Sequence, residues 1–458
     1  MKTTTESTLK ELAIQMVERA RGAGASDAEA TVREGDEFSA TVRMGQIETL
    51  KESGSRGMGL RVLIEGKDGY RVASCSSSDL SAEGLDQLLQ SAMALAEVSS
   101  EDPFAGLPEP GSFGQLDGDL GLYFDDVYSL PTAERIDYAR RAEASALAAD
   151  TRLINSDGAS FDAATGSMAL ANSRGFAGEY RSSYCSLVVS PIGQGQDEQM
   201  QSDYWYTNAR TLHQLETPES VGQKAAERTL RMLDARRVKT QQVPIIFAPE
   251  IAAGLAGHLF DAVSGDAIWR GASFLADQLG ETVGVAGLTL IDDGTMPGGF
   301  GTSPFDGEGL ATRRNALVED GQLKSYALTN YTARKLKLAS TANAGRGLTG
   351  NPYTTSHNLY FMAGSLSPEE ILKQVGTGLY VTRLMGQGVN LVTGDYSRGA
   401  AGLWIENGEL TFPVQEITIA GNLKDMLKNI TAIGNDLTFR SSTASPTLRI
   451  DGMTIAGE

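Results

Sequence analysis

One apolar stretch, residues 249–266, constrains the fold of this chain more than any other segment. Pro249 suits the first turn of a helix, where a missing N–H costs nothing, and Glu250 complements the positive end of the helix dipole. Apolar residues then recur at helical spacing and form a single stripe, which consists of Ile251, Leu255, Leu259 and Ala262. Ser264-Gly265 supplies the glycine expected just past a helix end. We therefore predict a central helix over 249–264, buried along one side and open to a cleft along the other.

The composition excludes several classes of protein. A chain of 458 residues has room for two or three domains, and 41% hydrophobic with 21% charged residues is ordinary for a soluble globular protein. The net charge of -19 argues against nucleic acid or an anionic membrane as a direct partner. The most apolar window, residues 243–263, is interrupted by prolines and charged residues, so we do not expect a membrane span.

The cellular compartment is also predicted from composition. Two cysteines in so long a chain cannot form a disulfide framework, and such usage is typical of a reducing compartment. The first residues, Met1-Lys2-Thr3-Thr4-Thr5-Glu6, lack the apolar core of a signal peptide. We therefore expect a cytoplasmic protein.

Residues 1–240 have the pattern of an N-terminal α+β domain. A helix is predicted from Leu9 to about Gly22, and a second from Ser81 to Val98. Between them, alternating segments separated by turn residues such as Glu34-Gly35-Asp36 predict an antiparallel meander. The segments are 28–33, 38–44, 47–53, 57–65 and 70–75.

The same pattern then recurs along the chain. A helix over 132–149, alternating segments within 153–207 and a helix over 217–233 follow a Pro- and Gly-rich connection. Ser55-Arg56-Gly57 and Ser173-Arg174-Gly175 hold comparable places, which favours a duplicated helix–meander–helix module with halves at about 1–118 and 119–240. The alternative is that Arg-Gly simply marks a hairpin turn.

Residues 241–458 predict a second, β-rich antiparallel domain around the central helix. Turn signals join its apolar runs at Asp292-Asp293-Gly294, Glu319-Asp320-Gly321, Glu406-Asn407-Gly408 and Asp451-Gly452. Helices are predicted over 367–377, after a capping pattern, and over 423–430. Few long helices separate the strands, so a doubly wound parallel sheet is excluded and the whole chain is predicted to be α+β.

Local motifs give no catalytic machinery. Of the three histidines, His258 lies three residues before Asp261, a spacing that places both side chains together on a helix, while His213 and His357 fall in predicted loops. The Gly345–Gly350 match to a dinucleotide fingerprint is followed by Asn351-Pro352, which opposes the required helix. No nucleophile elbow occurs, and Ser303 has no base near it in the sequence. We predict no catalytic residue in this chain.

The segment Thr393–Trp404 is the remaining candidate for binding. Its centre is polar and consists of Asp395, Tyr396, Ser397 and Arg398, with glycines at 394, 399 and 402. Glycine permits close backbone approach, and an exposed strand edge accepts an extended peptide by main-chain pairing. The alternative is an internal Asp395–Arg398 ion pair that braces a hairpin.

Several long motifs resemble the TldD/PmbA family. They are 249–274, Ser303-Pro304-Phe305-Asp306-Gly307-Glu308-Gly309, the Gly394–Gly402 segment, Glu416–Met426 and Ile433-Gly434-Asn435-Asp436. The resemblance covers nearly the whole length and is strongest after residue 243. It looks like the PmbA (TldE) branch, because the TldD branch carries a His-Glu-x-x-x-His metal signature and a late cysteine.

The branch has chemical consequences. Aligned on Gly265-Asp266, Ala256 and Asp261 stand at the two histidine positions and Gly257 stands at the glutamate position. Zinc needs several converging donors and a hydrolytic site needs a base for the bound water. Both cysteines, Cys75 and Cys185, lie in the first half of the chain. We therefore expect no metal and no cofactor in this chain.

The resemblance implies the subunit of a cytoplasmic heteromeric metalloprotease whose TldD-like partner carries the zinc. It also implies unfolded or leader-type peptide substrates, held along a cleft near His258, Asp261 and the 395–398 segment. Two alternatives stay open: a homodimeric, metal-free peptide-binding protein, and an enzyme of unrelated chemistry that uses Asp261, His258 or Asp395. An older description of the family links it to DNA gyrase modulation, but the net charge gives no support to direct DNA contact.

Overall fold

The α+β class predicted from the sequence is confirmed. The computed structural model describes residues 8–458, apart from the side chain of Asp197. Over that range, helices are combined with mostly antiparallel sheets. None of the helices in this part of the chain has the length and the apolar composition that a membrane crossing requires.

The N-terminal region alternates helices with very long strands. Its helices are α1 (Leu9–Gly22), α2 (Ala82–Val98), α3 (Asp126–Ser129), α4 (Thr132–Ala148) and α5 (Pro218–Leu230). Its strands are β1 (Asp27–Arg43), β2 (Gln46–Glu65), β3 (Tyr70–Ser77), β4 (Glu101–Asp102), β5 (Leu153–Asn172), β6 (Ala177–Gln194), β7 (Met200–Ser202) and β8 (Trp205–Ala209). The helix starts follow their caps, since Thr8, Ser81 and Thr217 each accept a backbone N–H of the first turn.

These strands form one sheet in the order β4-β3-β2-β1-β5-β6-β7, with β8 also paired to β6. Every pairing is antiparallel. The order of elements recurs along the chain, but both sets of strands share this sheet through the β1–β5 pair. The division of residues 1–240 into two halves therefore stays a prediction.

The turn predicted at Glu34-Gly35-Asp36 is wrong, because β1 runs straight through it. Gly35 lies opposite Ser55 on β2 and Gly166 on β5. A Cβ at Gly35 would lie 2.6 Å from the carbonyl oxygen of Thr165. The glycine thus permits close strand approach in the middle of the sheet, where the sequence pattern indicated a chain reversal.

The similarity between Ser55-Arg56-Gly57 and Ser173-Arg174-Gly175 is also not structural. The first lies within β2, whereas the second forms the turn between β5 and β6. Arg174 is held in that turn by an ion pair with Asp27, with Nη2 2.8 Å from Oδ2. The two triplets therefore do not mark equivalent places.

Two separate groups of helices cover one face of the sheet. Helices α1 and α2 pack over one end, where β1 buries Ala28, Ala30 and Val32. Helix α4, together with α5, packs over the other end, where the same strand buries Phe38, Ala40 and Val42. The even spacing keeps all six side chains on one face, as the period of a strand requires.

The C-terminal region is richer in short strands. Its helices are α6 (Pro249–Val263), α7 (Gly265–Trp269), α8 (Asn330–Leu336), α9 (Pro368–Lys373) and α10 (Leu423–Lys428). Its strands are β9 (Gln241–Phe247), β10 (Leu290–Asp293), β11 (Arg314–Glu319), β12 (Gln322–Leu323), β13 (Ala344–Gly345), β14 (Tyr353–Thr354), β15 (Asn358–Phe361), β16 (Thr377–Met385), β17 (Asp395–Glu406), β18 (Glu409–Asn422), β19 (Ile430–Ile433), β20 (Thr443–Ala444) and β21 (Leu448–Ala456).

Five of these strands close into a barrel. The pairs run β9–β16, β16–β17, β17–β18, β18–β21 and β21–β9, and only β9–β16 is parallel. Helix α6 packs against β15, β16 and β20. Its apolar stripe and the inward residues of the barrel belong to the same buried cluster.

Of the four hairpins predicted in this region, two are confirmed and two are wrong. The turns at Glu319-Asp320-Gly321 and Glu406-Asn407-Gly408 are confirmed, since they join β11 to β12 and β17 to β18. At Asp292–Gly294 the chain does turn after Asp293, but the predicted tight hairpin is wrong, because the antiparallel partner β11 begins only at Arg314. The one at Asp451-Gly452 is wrong as well, because it forms a bulge inside β21.

A buried charge cluster joins the two regions. Glu29 on β1 is 1% exposed and accepts from Arg61 of β2, at 2.5 Å, and from Arg346 of the C-terminal region, at 2.7 Å. Burial alone would raise the pKa of Glu29, but the charges of Arg346 and Arg61 outweigh it and hold the pKa below its usual value. Since a buried charge without partners is costly, separating the C-terminal region from the sheet at this triad would be unfavourable.

Candidate functional site

The central helix forms as predicted, with one difference at its end. Pro249 occupies the first turn, and Leu255, Leu259 and Ala262 are buried, while Ile251 is partly buried. Gly265 does not terminate the helix. Ser264 takes an extended conformation that ends α6 and caps α7 at once, its hydroxyl accepting the N–H of Ala267.

The opposite side of α6 is open to solvent, and the cleft expected along it stays a prediction. Gly254 and Asp261 are exposed, and Gly257 and His258 are half-buried. A Cβ built at Gly254 or Gly257 would meet no atom within 4 Å. Residues 254, 257, 258 and 261 follow helical spacing, so they form one continuous surface with room for a ligand or a partner.

This surface does not fit a hydrolytic metal centre. Ala256 is fully buried and has no donor, and Gly257 has no base. Cys185 lies in the sheet beneath the helices, where burial raises the pKa of its thiol to about 12. Across residues 8–458, no group of three or more His, Cys, Asp or Glu side chains is arranged to hold a metal ion.

His258 is a neutral, aromatic part of the open surface. Its ring packs edge-on against Tyr396, with the ring centroids 6.1 Å apart. Desolvation lowers the pKa of His258, and the positive charge of Arg398 lowers it further. Partial desolvation raises the pKa of Asp261, although much of this residue is exposed to solvent. Within the described chain these two side chains form no ion pair with each other, despite their spacing.

The structure divides the 395–398 cluster between two faces of β17. Tyr396 is buried and Arg398 is half-buried on the face toward His258, whereas Asp395 and Ser397 are exposed on the other face. The alternation follows from the two-residue period of a strand. The structure therefore brings His258, Tyr396 and Arg398 together and leaves Asp395 and Ser397 apart from them.

The exposed strand edge expected at this segment is absent. On one side, β17 pairs with β18 from Asp395 onward. On the other side, the N–H of Ser397 donates to the carbonyl of Gly388 at 2.7 Å and Tyr396 bridges to Val389. Both edges of 395–398 are thus occupied by the chain itself, so a peptide cannot pair there.

The alternative of an Asp395–Arg398 ion pair is also wrong. Asp395 accepts from the Thr393 hydroxyl at 2.6 Å and from the Asn422 amide at 3.1 Å, and these bonds lower the pKa of its carboxyl. Arg398 Nε instead lies 3.4 Å from the carbonyl oxygen of Met385. Residues three apart on a strand point to opposite faces, which is why they do not meet.

A cavity at the start of α6 is lined by residues that the sequence alone does not indicate as site residues. Its volume is about 280 Å³. It lies between β8, the first turn of α6 and the chain between β19 and β21, and its polar lining includes Tyr206, Glu250, Asp436, Arg440 and Ser441. Arg440 is anchored from the N-terminal region, where Glu216 accepts its Nη1 at 3.1 Å. Asp436 ends the Ile433–Asp436 motif, but no local sequence signal indicates Tyr206 or Arg440.

The Ser303–Gly309 motif forms a buried turn. Asp306 accepts the backbone N–H groups of Glu308, Leu310 and Ala344. Glu308 accepts both the backbone and the side-chain N–H of Asn330. Burial, with the neighbouring Asp306 second, raises the pKa of Glu308 to about 7. Ser303 donates to the carbonyl of Phe305 and is not a nucleophile paired with a base.

Comparison with known proteins identifies this arrangement of sheet, barrel and central helix as that of a metallopeptidase family. The models of three PmbA/TldA metallopeptidase domains match the chain: domain 1 over residues 28–96, the central domain over 125–233 and the C-terminal domain over 240–457. The chain therefore belongs to the PmbA/TldD metallopeptidase family.

Relatives named for PmbA resemble it over nearly their whole length. The chain is 41% identical to metalloprotease PmbA of Escherichia coli O157:H7, over 95% of this chain and 93% of that protein. It is 38% identical to the PmbA homolog of Haemophilus influenzae, over 99% and 97%. The resemblance to the PmbA branch is thus confirmed.

Solved structures share the fold. A protein from Bacteroides thetaiotaomicron, described as a putative modulator of DNA gyrase, superimposes with a TM-score of 0.90 at 28% identity, over 98% of this chain and 99% of that one. TldE of Thermococcus kodakarensis superimposes with a TM-score of 0.86 at 22% identity, over 97% and 100%, which is a likeness of fold.

Proposed function

We propose that this chain is the metal-free subunit of a cytoplasmic, heteromeric metalloprotease that cleaves unfolded or leader-type peptides. A TldD-like subunit supplies the zinc, and this chain helps to enclose the cleft. The open side of α6 carries the proposal. This side is open to solvent, yet Gly257 on it provides no base, and the adjacent, buried Ala256 provides no metal donor.

The chemistry of amide hydrolysis supports separate roles for the two subunits. Hydrolysis of an amide at neutral pH requires an activated water and a group that stabilises the developing oxyanion. His258 is the imidazole on this surface, and desolvation, followed by the charge of its neighbour Arg398, disfavours the protonated form. A wall of this kind can orient an extended chain, but the activated water must come from elsewhere.

The test is an assay of an unfolded peptide with this chain alone, with a TldD-like partner alone, and with both, each with and without a chelator. We expect cleavage only in the mixture and its loss with chelator. Metal analysis of this chain after dialysis against zinc should find far less than one zinc per chain. Chelator-insensitive cleavage by this chain alone would overturn the proposal.

A matched pair of variants tests the cleft wall within the active mixture. Arg398→Ala alters the face toward His258, and Ser397→Ala alters the exposed face of the same strand. We expect the first to slow peptide turnover several-fold and the second to leave it unchanged, with melting temperatures of both near that of the parent. Equal turnover in the two variants would show that Arg398 does not act on the bound peptide.

The same experiment distinguishes the two alternative functions by different results. A metal-free peptide-binding protein would bind the unfolded peptide alone and would not alter turnover by the partner. An enzyme of unrelated chemistry would act alone and would lose activity on Asp261→Asn or His258→Gln.

A further inference from the structure

Within residues 8–458, strand β2 leaves a long edge of the N-terminal sheet unpaired. Strand β1 pairs with it from Gln46 to Leu63, but β3 pairs only with its second half, from Met58 to Glu65. Residues 46–57 therefore have β1 on one side and no strand from the described part of the chain on the other. All residues from 46 to 56 are exposed.

This edge has charged side chains, but it is long and lacks two other common protections of a sheet edge, a proline and a covering helix or loop. Natural edges are short, interrupted by proline, or covered by a helix or loop. The 46–56 edge contains no proline. Leu50 is 50% exposed and Ile47 is 44% exposed. Leu50 pairs with Ala40, which is fully buried beneath the helices. The Leu50 side chain therefore lies on the same face of the sheet, at a place that the helices leave exposed.

The charges along the edge point to a partner. Glu48 and Arg56 are paired within the chain, with Arg43 and Glu34 respectively. Lys51 and Glu52, at the centre, form no ion pair with any residue in the range 8–458. They are therefore free to meet opposite charges on another chain.

We propose that residues 46–56 are the edge along which a second, non-identical subunit of the same fold adds a strand, so that one sheet continues across the interface. This inference rests on the proposed function, which supplies such a subunit. A family member with the same sheet has its own β2 edge. Strand addition satisfies the free backbone groups on both edges.

The central charges disfavour a second copy of this chain as the occupant. Two residues directly opposite each other in an antiparallel pair either both point their backbone N–H and C=O groups toward the other strand or both point them away. Because this direction alternates along a strand, two identical edges can pair only in registers centred on one residue, which then lies opposite its own copy. The registers that use most of the edge centre on Lys51 or Glu52. Each places like charges directly opposite, which destabilises the pair. A non-identical strand with an acid opposite Lys51 and a base opposite Glu52 avoids this repulsion.

Hydrogen exchange tests the edge directly. The amides of 46–56 are measured in the isolated chain and after addition of the TldD-like subunit. We expect exchange in this segment to slow at least about tenfold in the complex, because half of its N–H groups gain carbonyl partners. The amides of 58–65, which β3 already covers, serve as the internal control and should change little.

Matched leucine variants test the side chains. Leu50→Arg and Leu95→Arg each replace a leucine that is 50% exposed, the second on α2. We expect the first to weaken the complex at least about tenfold and the second to leave its Kd within about twofold. The double variant Lys51→Glu with Glu52→Lys keeps the net charge and should also weaken the complex, most strongly at low salt.

The outcomes separate the two proposals. A complex that forms without protection of 46–56, and with Leu50→Arg bound normally, overturns the edge and leaves the proposed function standing. Protection that appears in the isolated chain and rises with its concentration would make a second copy the occupant and overturn this inference. No complex with the TldD-like subunit would overturn both.

Discussion

The chemistry available to α6 is decided at single positions. Ala256, Gly257 and Asp261 are read directly from the sequence. They cannot form a zinc donor set, because alanine and glycine have no donor atom and the Asp261 carboxylate is a single ligand. The environment of His258 is different. Its neighbours Tyr396 and Arg398 are about 140 residues away in the chain, so only the folded structure shows what sets its protonation.

A residue-scale prediction concerns this histidine. Arg398→Gln removes the positive charge, so we expect the pKa of His258 to rise while staying below 6.5, because desolvation is the larger cause. Titration of the imidazole protons by NMR measures it, and with three histidines in the chain His258→Gln assigns the signal. Ser397→Ala is the control and should not move the pKa. An unchanged pKa in Arg398→Gln would show that the guanidinium does not act on His258.

At the scale of elements, the sequence pattern predicts strands that are shorter than those in the structure. Glycine flanked by acids is typical of a turn, and Glu34-Gly35-Asp36 follows that pattern. In β1 the glycine is required for a different reason, because the backbone of β5 leaves no room for a Cβ. The turns that were predicted correctly are those in which the strands on both sides are adjacent in sequence, so local signals suffice.

An element-scale prediction follows from the close approach of β1 and β5. Gly35→Ala places a Cβ 2.6 Å from the Thr165 carbonyl oxygen, so the strands must separate, and we expect a loss of roughly 2 kcal/mol. Gly54→Ala on the neighbouring strand meets only the carboxylate of Asp36, at 3.2 Å, and should cost under about 1 kcal/mol. Denaturant unfolding of the two variants measures the difference. Equal stabilities would show that β1 and β5 are not closely apposed at Gly35.

At the scale of the whole molecule, buried carboxylates lie where the two regions meet. Glu29 has two arginine partners, which keep it ionised. Burial of Glu308, followed by the charge of the nearby Asp306, favours its protonated form, and the two hydrogen bonds from Asn330 only partly offset this effect. The junction thus contains one carboxylate that gains stability from ionisation and one that loses it.

The pH dependence of stability should reveal Glu308. Its pKa is raised from 4.5 to about 7 by folding, so its stabilising contribution is complete below pH 4.5 and is lost as the pH rises through 7. Glu308→Gln keeps an acceptor for Asn330 and cannot ionise. We expect the variant to gain stability relative to the parent between pH 5 and pH 8, measured as the difference in melting temperature. A constant difference over that range would contradict a raised pKa.

The sequence by itself determined the α+β class, the central helix with its apolar stripe, the tight hairpins and the absence of metal donors at 256 and 257. Each depends on periodicity, turn chemistry or side-chain valence within a few residues. Only the tertiary structure decided that both edges of 395–398 are occupied, that Tyr206 and Arg440 line the cavity beside α6, and that no strand within residues 8–458 covers the outer edge of 46–57. These features depend on which strands pair across hundreds of residues, and a strand's local pattern is the same whether its edge is paired or open.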